Sequence, residues 1–492
     1  MRRQSLTGVA IAALTAVALG VPPAHASPQT GPGDAGTGID WQPCPDEPAA
    51  QCGTVTVPVD WADPTGETIE IALARRTATA PAERVGTILT NPGGPGASGV
   101  ADVKAGGIGG SFDDDVRRRF DVVGFDPRGV GDSHPIRCRM STGPDPELFP
   151  TTAEHFDDLR EWTRAYGESC RELSGPHVDF LDSRSVARDM DAIRAALGDE
   201  KLTFYGNSYA TLTGQQYARL FPDRVRAMVL DSTMDHSQAT TWDFLRSETK
   251  ATQDGFDQYV KWCKRSTDCA LHGQDARKVF TDLYARAERG ELVDPRTSQH
   301  MSPTDLLSDT QWTFLGPYWE QLSQRQAELA GSEPEPADGV RTTVQTSGEP
   351  VEDPSSAIFC QDWRLPLRDV EQVESYRKRL AAVAPQMRVN LQAWGSTLLC
   401  LDWPTPVRNP QEPLRWDGVP PVLLLNSRYD PVTPHEWARN VARQSGAVLL
   451  TYEGSGHAVY SLGSSCVSAA TTRYLIDVVT PPRDTRCPAV PQ

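Results

Sequence analysis

The sequence predicts an α/β protein: a mostly parallel central sheet flanked by helices, with a mostly helical segment inserted before the last strands. Three observations predict it. Short apolar runs with β-propensity alternate with amphipathic helical patterns from residue 85 to 231. From about 236 to 415 that rhythm stops, and helical patterns rich in Trp and Tyr take over. The alternation returns at Pro420 and runs to about Val478. A chain of 492 residues with 38% apolar residues, 12 Trp, 12 Tyr and 13 Phe has ample material for such a core.

The N-terminus reads as an export signal. Met1-Arg2-Arg3 is a charged start, Leu6 to Val21 is mostly apolar, and Ala24-His25-Ala26 is an Ala-x-Ala cleavage site. The expectation is a signal peptide over 1–26 and a secreted mature chain. Residues 27–38 are rich in Gly, Pro and Thr and read as a flexible leader. No later stretch approaches eighteen consecutive apolar residues, so no membrane span is expected. The net charge of −17 argues against a nucleic-acid partner, which needs a basic face. Ten cysteines, an even number in an exported chain, favour disulfides over metal or thiol chemistry. Their order suggests neighbour pairs: Cys44 with Cys52, Cys138 with Cys170, Cys263 with Cys269, Cys360 with Cys400 and Cys466 with Cys487.

The elements follow in order. Gly53 to Val59 and Thr68 to Leu73 alternate as strands around the turn Asp63-Pro64-Thr65-Gly66, an antiparallel pair at a sheet edge. Val85 to Thr90 is a third strand, running into Asn91-Pro92-Gly93-Gly94-Pro95-Gly96. Phe120 to Phe125 is the next, ending in a turn where Asp126 and Arg128 read as a local ion pair. Residues 138–182 read as a polar excursion. Val186, Met190, Ile193 and Leu197 mark a helix by their three- and four-residue spacing. Strands Leu202 to Tyr205 and Val225 to Asp231 flank a helical pattern over Thr213 to Leu220. After the insertion come strands at Val422 to Ser427 and Ala447 to Tyr452, with helices over 434–443 and 465–478. The domain reading is therefore a core in two parts, 39–235 and 416–492, with a helical cap over 236–415.

Chemistry enters at Gly206-Asn207-Ser208-Tyr209-Ala210. A strand, a sharp turn and a helix around a serine form a nucleophile elbow, which lifts the hydroxyl off the sheet edge. A serine hydroxyl needs a histidine to take its proton and an acid to orient that histidine. Asp430 follows one late strand and His457 the next, in the order Ser…acid…His. Asp231, one strand earlier, is the competing acid. Thr433 can bond the Asp430 loop or cap the next helix, and His435 at that helix start reads as structural. The oxyanion donors would be the backbone N–H of Tyr209 and one from Gly93 or Gly94. This chemistry requires no metal and no cofactor.

With these residues in view, the chain from about 39 to 490 resembles the secreted actinobacterial tripeptidyl aminopeptidases of the α/β-hydrolase fold, relatives of prolyl aminopeptidase. The likeness rests on Cys-x-Thr-Val-x-Val-Pro-x-Asp-Trp near the start, Asn-Pro-Gly-Gly-Pro-Gly, Phe-Asp-Pro-Arg-Gly-Val-Gly-x-Ser, Tyr-Gly-Asn-Ser-Tyr, Phe-Pro-Asp-Arg-Val, Ala-Ile-x-Cys-x-Asp-Trp and the Asp430/His457 pair. The resemblance implies a serine exopeptidase that removes short peptides, tripeptides first among them, from free N-termini, with Ser208, Asp430 and His457 as its triad. Ala210 departs from the usual glycine of the family. An aminopeptidase must hold a cationic α-amine, so a carboxylate is needed near the serine. Asp362, beside Trp363, is the first candidate and Glu320 the second. The alternatives are a secreted esterase or lipase using the same triad, a prolyl aminopeptidase, and a non-enzymatic binding protein on the same scaffold. The last needs a missing triad member, and none is missing.

Overall fold

A computed structural model describes residues 38–107, 112–139, 147–333 and 349–491. The export signal and nearly all of the leader lie outside the described residues. Among those residues there are fourteen strands. In chain order they are β1 (Gln42–Pro43), β2 (Gln51–Pro58), β3 (Thr68–Arg76), β4 (Gly86–Asn91), β5 (Phe120–Phe125), β6 (Arg137–Arg139), β7 (Leu202–Asn207), β8 (Val225–Asp231), β9 (Val293–Asp294), β10 (Gln299–His300), β11 (Pro350–Glu352), β12 (Leu423–Tyr429), β13 (Val448–Ser455) and β14 (Arg486–Cys487).

Ten of them form one sheet in the order β1-β2-β3-β5-β4-β7-β8-β12-β13-β14. β1, β2 and β3 are antiparallel and join β5 antiparallel, whereas every pairing from β5 to β14 is parallel. The middle strands are apolar runs because both faces are covered: β5 is buried along its whole length, and β7 for all but Asn207. One face packs Val186, Met190 and Ile193 of the helix Ser183–Ala196 and Tyr217 of the helix Ala210–Leu220. The other packs Val100 and Val103 with Tyr474 and Leu475 of the helix Ser465–Asp477. The chain leaves β4 for β5 on one side and returns to β7 on the other. That reversal opens a crevice at the carboxyl ends of β4 and β7, where an α/β sheet can take a ligand.

The helices over Thr241–Arg265, Ala276–Glu288, Pro303–Trp312, Trp319–Gly331, Pro354–Asp362, Val370–Val383 and Leu391–Leu399 all fall between β8 and β12. Part of this insertion builds its own core from Phe256, Tyr259, Trp262, Phe280, Leu306 and Trp319. The excursion after β5 is not merely polar. It holds a helix over Ala153–Ser174 that buries Phe156, Leu159 and Tyr166. The excursion is stitched to the insertion by β6–β11 pairing and, from this helix, by the Tyr166 hydroxyl donating to Asp353 Oδ2 at 2.8 Å. Its apolar positions share one core with Phe359, Trp363 and Trp394.

Asp126 and Arg128 do not pair locally. Arg128 donates from Nε and Nη2 to both oxygens of Asp189 at 2.7 and 2.6 Å, a buried bidentate pair, and from Nη1 to the Val59 carbonyl at 2.7 Å. Asp126 instead accepts from Ser98 Oγ at 2.5 Å and from the amides of Val100 and Asp132, each at 3.0 Å. The five neighbour disulfides are all formed. No helix among the described residues is long and apolar enough to cross a membrane.

Candidate active site

The parallel strands bring four loops to one edge of the sheet. β4 ends level with β7 at Asn91 and Gly206, β7 with β8 at Asn207 and Asp231, and β12 with β13 at Tyr429 and Ser455. Residues 93–94, Ser208, Asp430 and His457 follow β4, β7, β12 and β13 in turn.

Ser208 sits on the turn between β7 and the helix Ala210–Leu220 with φ +54°. That left-handed backbone costs an L-residue roughly 1–2 kcal/mol and needs support. The support comes from both sides: the Ser208 amide donates to the Asp231 carbonyl at 2.8 Å, and the Ser208 carbonyl accepts from Thr211 Oγ1 at 2.6 Å. Ala210, where a glycine was the expectation from the family, is buried as the first residue of the helix.

Asp430 is buried and held by its own loop. Its Oδ1 accepts from the amides of Val432 at 3.0 Å and Thr433 at 2.8 Å, and its Oδ2 accepts from Thr433 Oγ1 at 2.9 Å. His457 Nδ1 lies 3.1 and 3.0 Å from the two carboxylate oxygens. A carboxylate accepts only, so Nδ1 carries the proton and Nε2 is left as a base. Burial lowers the His457 pKa, but the charge and hydrogen bond of Asp430, with the charge of Asp231, outweigh it and leave the imidazole above its ordinary value.

Asp231, the competing acid, is otherwise engaged. Its Oδ1 accepts from the Val459 amide at 2.9 Å, and its Oδ2 from the Tyr460 amide at 2.9 Å and the Tyr205 hydroxyl at 2.7 Å. The same residue thus ties the serine turn through its carbonyl and the segment after His457 through its carboxylate. His435 is structural, with Nε2 at 2.9 Å from Thr451 Oγ1.

The glycine loop touches the elbow. A Cβ at Gly93, whose φ is +91°, would collide with the Asn207 carbonyl and come within 2.8 Å of the Tyr209 nitrogen. Only glycine brings the backbone this near. The two oxyanion candidates separate here. The Gly93 amide already donates to Asn91 Oδ1 at 2.9 Å. Gly94 instead lines a small cavity of about 40 Å³ with Ser208, Tyr209, Phe359, Glu248 and Thr433. A second cavity of about 120 Å³, lined by Trp312 and Leu315 among others, shares Gln392 and Val432 with it.

The two carboxylates expected to receive an amine do not line this cavity. Asp362 is 0% exposed, and four donors saturate it. Ser183 N at 2.9 Å and Asn409 Nδ2 at 2.8 Å bond Oδ1; Ser183 Oγ at 2.6 Å and the Tyr209 hydroxyl at 2.8 Å bond Oδ2. Burial and the nearby charge of Asp182 push its pKa up to about 7, against the pull of these donors. With its lone pairs taken, Asp362 braces the Tyr209 side chain and has nothing to offer a ligand. Glu320 is exposed at the start of the helix Trp319–Gly331, bonded to Gln324 at 3.1 Å. The carboxylate that does line the cavity is Glu248, which the sequence reading passed over. The available signal was a charged residue on the apolar stripe Phe244, Leu245, Phe256, Tyr259 of the helix Thr241–Arg265.

Residues 86–464 match the family model described as the alpha/beta hydrolase fold. The chain is 31% identical over 485 residues to serine protease Hip1 of Mycobacterium tuberculosis, covering 92% of this chain and 91% of that one. It is 31% identical over 479 residues to a tripeptidyl aminopeptidase of Streptomyces lividans, covering 92% and 86%. It is 32% identical over 467 residues to carboxylesterase B of Mycobacterium tuberculosis, covering 89% and 86%.

Proposed function

Since the chain belongs to the alpha/beta hydrolase fold family, we propose that it is a secreted serine exopeptidase, releasing short peptides, tripeptides first among them, from free N-termini. One observation carries the chemistry: the strained Ser208 turn and the segment after His457 are tied to the same residue, Asp231, while Asp430 holds His457 Nδ1.

Ser208 Oγ attacks the scissile carbonyl carbon as His457 Nε2 takes its proton. Asp430 stabilises the imidazolium through Nδ1–H. The amides of Tyr209 and Gly94 receive the developing oxyanion, each donor being worth about 3 kcal/mol in such sites. His457 then returns the proton to the leaving amine, and water hydrolyses the acyl-enzyme by the same steps in reverse order. The residues from 236 to 415 act as the cap over this site.

Two relatives named for peptide cleavage support the peptidase reading, and five disulfides support an extracellular setting after cleavage near Ala26. Carboxylesterase B, at a similar identity, favours the second reading of an esterase with the same triad. The deciding experiment is hydrolysis of an Ala-Pro-Ala anilide beside its N-acetylated copy and a short acyl ester. One-step release of the tripeptide from the free-amine substrate, with the acetylated copy inert, is expected. Turnover of the ester alone moves the chain to the esterase class.

A further inference from the structure

The helix Thr241–Arg265 turns an apolar and small-residue stripe inward, and Glu248 lies on that stripe, 4% exposed. Its side chain lines the same cavity as Ser208 and Tyr209. No residue among those described hydrogen-bonds or ion-pairs with its carboxylate. Ser208, Gln392 and Ser396 line the cavity with it, and no hydrogen bond joins any of them to its carboxylate. Thr252 Oγ1 donates to the Glu248 backbone carbonyl at 3.0 Å, Thr249 Oγ1 accepts from the Asn390 amide at 3.1 Å, and Thr433 serves Asp430. Burial pushes the Glu248 carboxyl well above the usual range, and the Asp430 charge adds to that push. A buried carboxylate without donors is costly, and native proteins seldom keep one that nothing else completes.

We propose that Glu248 receives the N-terminal ammonium of the peptide substrate inside the Ser208 cavity. The inference rests on the exopeptidase reading and names the residue that makes the enzyme demand a free N-terminus. An α-ammonium is compact and brings a positive charge with three N–H donors, which are the two things Glu248 lacks. Asp362 cannot take the role, because its four donors leave it no free lone pair.

The test compares wild type, Glu248→Gln and Glu248→Asp on the Ala-Pro-Ala anilide and on the same anilide lacking only the α-amine. Neither substrate carries a basic side chain. Labelling of Ser208 by a small fluorophosphonate reports the triad separately. Glu248→Gln keeps the shape and resembles a protonated glutamic acid, so it also asks whether the charge is needed. The expected result is a loss of about 100-fold in kcat/KM on the free-amine substrate, mostly in KM, because a buried charge pair has lost one partner. Turnover of the des-amino substrate and the rate of labelling stay unchanged, and Glu248→Asp recovers part of the loss. An unchanged ratio between the two substrates in Glu248→Gln overturns the proposal, as does a loss that appears equally in fluorophosphonate labelling. If wild type itself does not distinguish the two substrates, the exopeptidase reading fails, and that failure is visible before any variant is made.

Discussion

Asp362 and Glu248 are both buried carboxylates on helices of the same insertion, and both stand within one residue of the Ser208 cavity. Asp362 receives four hydrogen bonds, from Ser183, Asn409 and Tyr209. Glu248 receives none among the described residues. The difference separates scaffold from site. A saturated carboxylate fixes its neighbours, here the side chain of the residue next to the nucleophile. An unsaturated one is a stability cost held in reserve for a ligand. Asp231 and Asp430 are both well supplied with donors and differ instead in what they hold. The first is taken up by the backbone of 459–460 and by Tyr205, while the second keeps His457 Nδ1 within reach.

The contrast can be broken at each of these carboxylates. The largest effect is expected at Asp430. Asp430→Asn should lower kcat/KM by about 10⁴-fold, since the histidine loses both its tautomer and the stabilisation of its charge. The pH profile checks the cause. In the proposed mechanism the working base is neutral His457, whose pKa is raised in the fold, so wild-type activity is expected to fall as pH drops through a value above the ordinary 6.5. Removing the Asp430 charge moves that acid limb to lower pH.

Next in size is Asp362→Ala, which leaves four donor groups on three residues buried without their acceptor. It should cost about 3–5 kcal/mol in urea unfolding, with Ser208 labelling weakened through Tyr209. The sign of its pH dependence follows from its raised pKa. The stability that Asp362 contributes is complete below the unfolded carboxylate value of about 4 and is lost as pH rises through about 7. The stability of wild type relative to Asp362→Asn therefore declines across that window and is level above it.

Glu248→Gln should do the opposite of Asp362→Ala in the same unfolding experiment. Replacing an unpaired buried carboxyl by an amide of the same shape leaves stability unchanged or raises it by up to about 1 kcal/mol. A loss comparable to that of Asp362→Ala would place Glu248 in the scaffold after all. The smallest effect is expected at Glu320, exposed on its helix, where Glu320→Ala should stay within about 0.5 kcal/mol in stability and leave both anilide substrates unaffected.

The sequence by itself determined the α/β class, the strands that carry the site, the elbow at Ser208 and the order of Asp430 and His457 behind it. It also suggested the neighbour pairing of the cysteines that the structure forms. These are local matters: a period of residues, a turn, a short span between partners. What the tertiary structure decided is which polar groups meet. Asp362 and Ser183 are 179 residues apart, and Arg128 and Asp189 are 61 apart. The helix Ala153–Ser174 reaches the insertion through Asp353, 187 residues beyond Tyr166. No spacing rule encodes such meetings, so Asp362 read as a ligand site from its motif and Arg128 as the partner of Asp126. Gly93 and Gly94 likewise look alike in sequence, and only the Asn91 side chain folded back on one of them tells them apart. Whether a carboxylate is satisfied depends on every donor that the fold brings within 3 Å of it, which is why Glu248 becomes visible only once the chain is packed.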